Sequence, residues 1–83
     1  MQANVYSYLN GDRKVVASFG VKDGRAVLLG SANADERFWA EETLKNGIVR
    51  FRGERITADQ GERFLRALRF AVGSTYGGVE LTE

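Results

Sequence analysis

Val15-Val16-Ala17-Ser18-Phe19-Gly20-Val21-Lys22-Asp23-Gly24-Arg25-Ala26-Val27-Leu28-Leu29 is the stretch that decides the fold class. Period-two alternation sets Val15, Ala17, Phe19 and Val21 on one face of a strand, with Val16, Ser18 and Gly20 on the other. Asp23-Gly24 then supplies two residues that tolerate positive φ, as a type I′ turn requires. The apolar run Ala26 to Leu29 reads as the returning strand. Upstream, Val5, Ser7 and Leu9 alternate with Tyr6 and Tyr8, and Asn10-Gly11 offers a second hairpin turn. The expectation is a three-stranded antiparallel meander, which is stable only if one of its faces is covered.

The cover is expected to be helical. Asn33, followed three residues later by Glu36, fits an N-cap, and Asp35 and Glu36 complement the positive end of a helix dipole. That helix runs to about Lys45, with Trp39, Ala40, Thr43 and Leu44 on one side and Phe38 off the stripe. Its stripe is narrow, and Arg37 to Thr43 also fits a strand. Ile48 to Arg52 alternates again as a short edge strand or connector. Thr57 then caps a clearer helix from about Ala58 to Val72, with Phe64, Leu65, Leu68, Ala71 and Val72 on one face. Gly61 within it costs up to ~1 kcal/mol relative to Ala and points to a close approach by another backbone. Ser74 to Glu83 is Gly-rich and reads as a partly ordered tail, with Tyr76, Val79 and Leu81 available to tie it down. The whole is expected to be one α+β domain over residues 1–83, in the order β-β-β-α-(β)-α.

Composition excludes much chemistry. The 83 residues include no His, no Cys and no Pro, so disulfides and ordinary zinc or haem sites are outside its means. General-base histidines and cysteine nucleophiles are excluded likewise. No Gly-x-Ser-x-Gly elbow, phosphate-binding Gly-rich loop or Ser-x-x-Lys pair occurs. Gly30-Ser31-Ala32-Asn33, between a strand and a helix, is a candidate phosphate cradle, but Asp35 and Glu36 in the first turn would repel an anion. The expectation is no catalytic residue, no metal and no cofactor. With no apolar run of about 18 residues and no basic-then-apolar leader pattern, the chain reads as cytoplasmic, without membrane association.

Arginine distribution breaks the near-neutrality of a chain with 12 Lys+Arg and 11 Asp+Glu. Residues 1–49 are balanced, whereas residues 50–69 hold Arg50, Arg52, Arg55, Arg63, Arg66 and Arg69 against Glu54, Asp59 and Glu62. Arg63, Arg66 and Arg69, spaced i, i+3, i+6, share an arc of the last helix opposite Leu65 and Leu68, and Phe70 projects into it. Together with Arg50 and Arg52 these are the candidate binding residues. Protein contact, including homodimer formation with a second copy, is the first reading. Nucleic acid or another anion is the second, weakened by a pI near 8.1 where nucleic-acid domains more often exceed 9. The β-β-β-α order also matches small domains that lay a three-stranded sheet in the major groove, but Tyr6, Tyr8, Lys14, Ser18 and Lys22 supply few cations for that role.

Arg55-Ile56-Thr57-Ala58-Asp59-Gln60-Gly61-Glu62-Arg63-Phe64-Leu65-Arg66-Ala67-Leu68, with Gly73-Ser74-Thr75-Tyr76, resembles the end of small uncharacterised bacterial proteins. Those carry a Thr-x-x-(Asp)-Gly-Glu-x-(Phe/Tyr)-Leu-x-x-Leu stretch followed by Gly-Ser. The likeness covers roughly a quarter of the chain. It lacks the Pro after Thr57 and separates Asp59 from Gly61. It implies a bacterial source and no particular function.

Overall fold

Asp23 and Gly24 stand at φ 52° and 77°, the paired left-handed conformation that turns one strand back on the next. In the computed structural model, which describes residues 1–9, 11–46, 58–72 and 76–82, that turn joins β2 (Asp12–Lys22) to β3 (Arg25–Ser31). β1 (Gln2–Leu9) precedes them, and α1 (Ala34–Asn46), α2 (Ala58–Val72) and β4 (Gly78–Thr82) follow. The sheet is four-stranded, in the order β3-β2-β1-β4, and every neighbouring pair is antiparallel. This is the expected α+β architecture with one more strand than the meander. The extra strand is β4, which lies in the stretch read as a partly ordered tail and pairs from Tyr6 opposite Gly78 to Gln2 opposite Thr82. Val79 and Leu81 both pack on the core, which is the tie the alternation allowed. The edge strand expected at Ile48 to Arg52 lies outside the described residues.

Two bulges set which side chains face inward. Pairing steps from Val5 opposite Ala17 to Tyr6 opposite Val15, so Val16 is an extra residue in β2. Its carbonyl accepts the Ala32 N–H at 2.9 Å. One added residue inverts the alternation beyond it: Ala17 and Phe19 are buried, whereas Val15, expected on their face, is 46% exposed on the side of Tyr6. A second step, from Ser18 opposite Gly30 to Phe19 opposite Leu28, leaves Leu29 as the extra residue of β3. Leu29 lies over Gly20 on the outer face, where a Cβ on Gly20 would stand 2.8 Å from its Cδ1.

The helices cover the other face. Arg37 to Thr43 lies within α1, and Asn33 caps that helix by accepting the Glu36 N–H at 2.9 Å through its Oδ1. Ala40 is buried and Phe38 is exposed, as their angular positions imply. Phe64, Leu65 and Leu68 of α2 are fully buried. Phe19 joins the layers, with its ring centroid 5.8 Å from Phe64 and 6.2 Å from Trp39, both edge-to-face. Gly61 brings α2 against the β2–β3 turn: a Cβ there would stand 3.0 Å from the Ala26 nitrogen and 3.2 Å from the Gly24 oxygen. Backbone atoms cannot rotate away from such a contact.

Phe19→Ala removes the ring on which both helices rest, at about 3–5 kcal/mol, within a total of roughly 5–15 kcal/mol for ordinary domains. Thermal unfolding followed by circular dichroism should lose most of its cooperativity or shift down by tens of degrees, and a midpoint within a few degrees of wild type would contradict this role. Gly61→Ala should lower the urea midpoint even though Ala is the better helix former by about 1 kcal/mol, because the added methyl meets backbone; a raised midpoint would contradict the packing.

Candidate interaction surface

The inward stripe of α2 fixes where its charges go. With Phe64, Leu65 and Leu68 turned to the sheet, Arg63, Arg66 and Arg69 all emerge exposed, together with Glu62, on one arc of the opposite side. Three of the six candidate residues are thereby brought together. Arg50, Arg52 and the Phe70 side chain lie outside the described residues.

Arg69 reaches further than its helix. It borders an open groove of about 410 Å³ shared with Tyr6 and Tyr8 of β1, Arg13 of β2, and Glu80 and Leu81 of β4. β1 turns Ala3 and Val5 into the core, so period two sends Tyr6 and Tyr8 outward, where their rings meet edge-to-face at 5.6 Å. The Arg13 guanidinium lies 4.1 Å from the centre of the Tyr6 ring and forms an exposed ion pair with Glu80. The hydrogen bond to Glu80, above all, holds that guanidinium still more firmly protonated than usual. Solvent screens such an exposed pair, so its main effect is to fix the position of Arg13 against the ring.

Glycines shape the groove floor. Gly78 adopts φ 149°, and a Cβ there would stand 2.7 Å from the Tyr6 hydroxyl. The preceding Gly77 donates its N–H to the Tyr6 carbonyl at 2.6 Å. A side chain at position 78 would therefore both strain the backbone and displace the ring. Further along the outer face, Asn4 Oδ1 accepts from the Ser18 hydroxyl at 2.8 Å and from the Gln2 amide at 3.0 Å, a polar patch beside the aromatic one.

Sequence reasoning placed Tyr6 and Tyr8 on an exposed strand face but did not select them, and it missed Arg13 and Glu80. Those two are 67 positions apart and meet only because β4 pairs with β1. Outward period-two phase was the available signal, and it marks many residues that do nothing together.

The chain matches no family model, no curated protein and no solved structure. The surface is thus read from its own chemistry. Among the described residues no group of three or more Asp or Glu is placed to hold a metal ion, and no helix is long and apolar enough to cross a membrane.

Away from the groove, Tyr76 is the other titratable group among the described residues set apart by its surroundings. Its ring packs on Trp39 at 4.8 Å between centroids and its hydroxyl donates to Glu36 Oε2 at 3.2 Å. Burial, reinforced by the Glu36 charge and hydrogen bond, raises its pKa above the ordinary tyrosine value of 10.0. The phenol stays protonated near neutrality and ties the segment before β4 to α1. Because the folded state holds this proton more tightly than the unfolded state, stability from Tyr76 is complete below pH about 10 and declines as pH rises through the raised value. Tyr76→Phe should lower the thermal midpoint slightly at pH 7 yet flatten its fall above pH 10, and an alkaline profile parallel to wild type would contradict the assignment.

Proposed function

We propose that the protein is a small non-enzymatic protein-interaction module that associates with itself through the arginine face of α2, acting as a cytoplasmic homodimer. One observation carries this reading: Arg63, Arg66 and Arg69 stand on a single exposed arc, and Arg69 leads into a groove floored by Tyr6 and Tyr8. Arginine and tyrosine are the residue types that anchor protein interfaces, since each combines a large contact area with directed polar groups. The size of the chain favours the same reading. A domain of 83 residues buries a small core, and no cysteine is available to staple it, so association is a route to burying more surface.

A nucleic-acid or anion-binding role for the same cluster is the second reading, favoured by guanidinium groups beside tyrosine rings. Two features of the groove weigh against it. Arg13 already covers Tyr6, and Glu80 places a carboxylate where a phosphate would approach.

Sedimentation at micromolar concentration should show wild type heavier than a monomer. Reversing Arg63, Arg66 and Arg69 to Glu together should yield a monomer with an unchanged circular dichroism spectrum. A strictly monomeric wild type at high concentration disposes of the proposal. Fluorescence anisotropy with single- and double-stranded oligonucleotides at low salt should show no binding; salt-sensitive binding lost in the triple variant would establish the second reading instead.

A further inference from the structure

Independently of self-association, we propose that the groove beside Arg69 is a binding site for a small aromatic monocarboxylate, whose ring packs on Tyr8 and whose carboxylate pairs with Arg69. Three charged residues border the groove, Arg13, Glu80 and Arg69. Arg13 and Glu80 are paired with each other, and the same guanidinium lies over Tyr6. Arg69 is exposed and has no ion-pair partner among the described residues. Glu62, the carboxylate on the same arc of α2, lies seven residues back, about 10 Å along the axis and beyond ion-pair reach. The groove therefore carries one uncompensated positive charge.

Beside that charge stands a preformed aromatic wall. Tyr6 is fixed by the Arg13 guanidinium, 4.1 Å from its ring centre, and by the backbone of Gly77 and Gly78, where an added Cβ would stand 3.1 Å and 2.7 Å from its side chain. Tyr8 meets Tyr6 edge-to-face at 5.6 Å, also lies against Gly77, and is still 60% exposed. Its ring is thus held in place yet open to a partner, and Leu81 adds apolar surface beside it. A second ring can pack on Tyr8 edge-to-face or offset, and a guanidinium takes a carboxylate through two parallel hydrogen bonds. The groove volume of about 410 Å³ falls within the roughly 300–1,000 Å³ of ordinary small-molecule sites.

The features that weigh against nucleic acid define this ligand. Arg13 covers Tyr6, so the groove offers one accessible ring rather than a run of stacking surfaces. Glu80 repels a second negative charge, which leaves a place for a single carboxylate at Arg69. A phosphate monoester, with close to two charges at neutral pH, is disfavoured on that ground, and a polyanion more so. An aliphatic acid would leave Tyr8 uncovered, and a neutral aromatic would leave Arg69 unpaired. Because the groove is open to solvent, salt screens Arg69, and affinity falls as ionic strength rises.

Phenylacetate titrated into the full chain at low salt, followed by amide chemical shifts, should give saturable changes centred on Tyr8, Arg69 and Gly77. Acetate and phenylacetamide should each bind at least about tenfold more weakly. Arg69→Gln and Tyr8→Ala should each lower phenylacetate affinity by about tenfold with an unchanged circular dichroism spectrum, whereas Lys45→Gln, which removes a positive charge elsewhere, should leave it as in wild type. Glu80→Gln should narrow the preference for phenylacetate over phenyl phosphate. The absence of saturable shifts, equal binding of phenylacetamide, or binding untouched by Arg69→Gln would overturn the proposal. Nα-acetylphenylalanine presents ring and carboxylate as the end of a peptide chain does; if it binds more tightly than phenylacetate, the small-molecule assignment is overturned in favour of a chain terminus. A strictly monomeric protein that binds phenylacetate leaves this site standing while the self-association reading falls. An arginine-dependent dimer that binds none of these probes does the reverse.

Discussion

The ring of Phe19 holds the molecule together. It is fully buried on the inner face of β2, touches Phe64 of α2 on one side and Trp39 of α1 on the other, and Trp39 in turn carries Tyr76 at the entry to β4. Each element that covers the sheet is thus in contact with Phe19 or one ring removed from it. A chain of this size has few other large side chains to bury, since Phe19, Phe64, Leu65, Leu68 and Val5 are the bulkiest fully buried among the described residues. With no disulfide to share the burden, the edge-to-face stack and the close approach at Gly61 carry helix-on-sheet packing.

Covering one face leaves the other to solvent, and this asymmetry organises the surface. The inward demand of Ala3 and Val5 turns Tyr6 and Tyr8 outward, and the inward stripe of α2 turns its arginines outward. The two sets meet at the β1–β4 side, where Arg69 borders the groove and Arg13 is held over Tyr6 by Glu80. The cations of α2 are therefore gathered on one exposed arc, Arg63, Arg66 and Arg69 with Glu62 among them. That clustering is what supports the proposed binding role, whereas composition alone suggested only the absence of many chemistries.

Legibility differed from element to element for physical reasons. Asp23-Gly24 and the Asn33 cap act over three or four residues, so their conformations follow from their own side chains and backbone freedom. The stripe of Phe64, Leu65 and Leu68 is almost as local, because a helix repeats its face every turn. β4 was harder: a five-residue strand that opens on Gly78 and has two inward apolar positions, Val79 and Leu81, has too little pattern to separate it from a loose end until β1 pairs with it. The phase of Val15 was misread for a related reason. Period two assumes an uninterrupted ladder, and the extra residue at Val16 exists only as a relation between β2 and β1.

By itself, then, the sequence determined the Asp23-Gly24 turn, the first three strands, the cap of the first helix, the second helix, the outward arc of Arg63, Arg66 and Arg69, and the exclusion of histidine and cysteine chemistry, while leaving Arg37 to Thr43 open between helix and strand. These depend on residue type and on neighbours within a turn or two. Tertiary structure alone decided that a fourth strand joins the sheet, that Val15 faces outward, and that Arg13, Glu80, Tyr6 and Arg69 meet in one groove. Those outcomes turn on pairing register and on contacts between distant segments, whose free energy exists only after the chain has closed on itself.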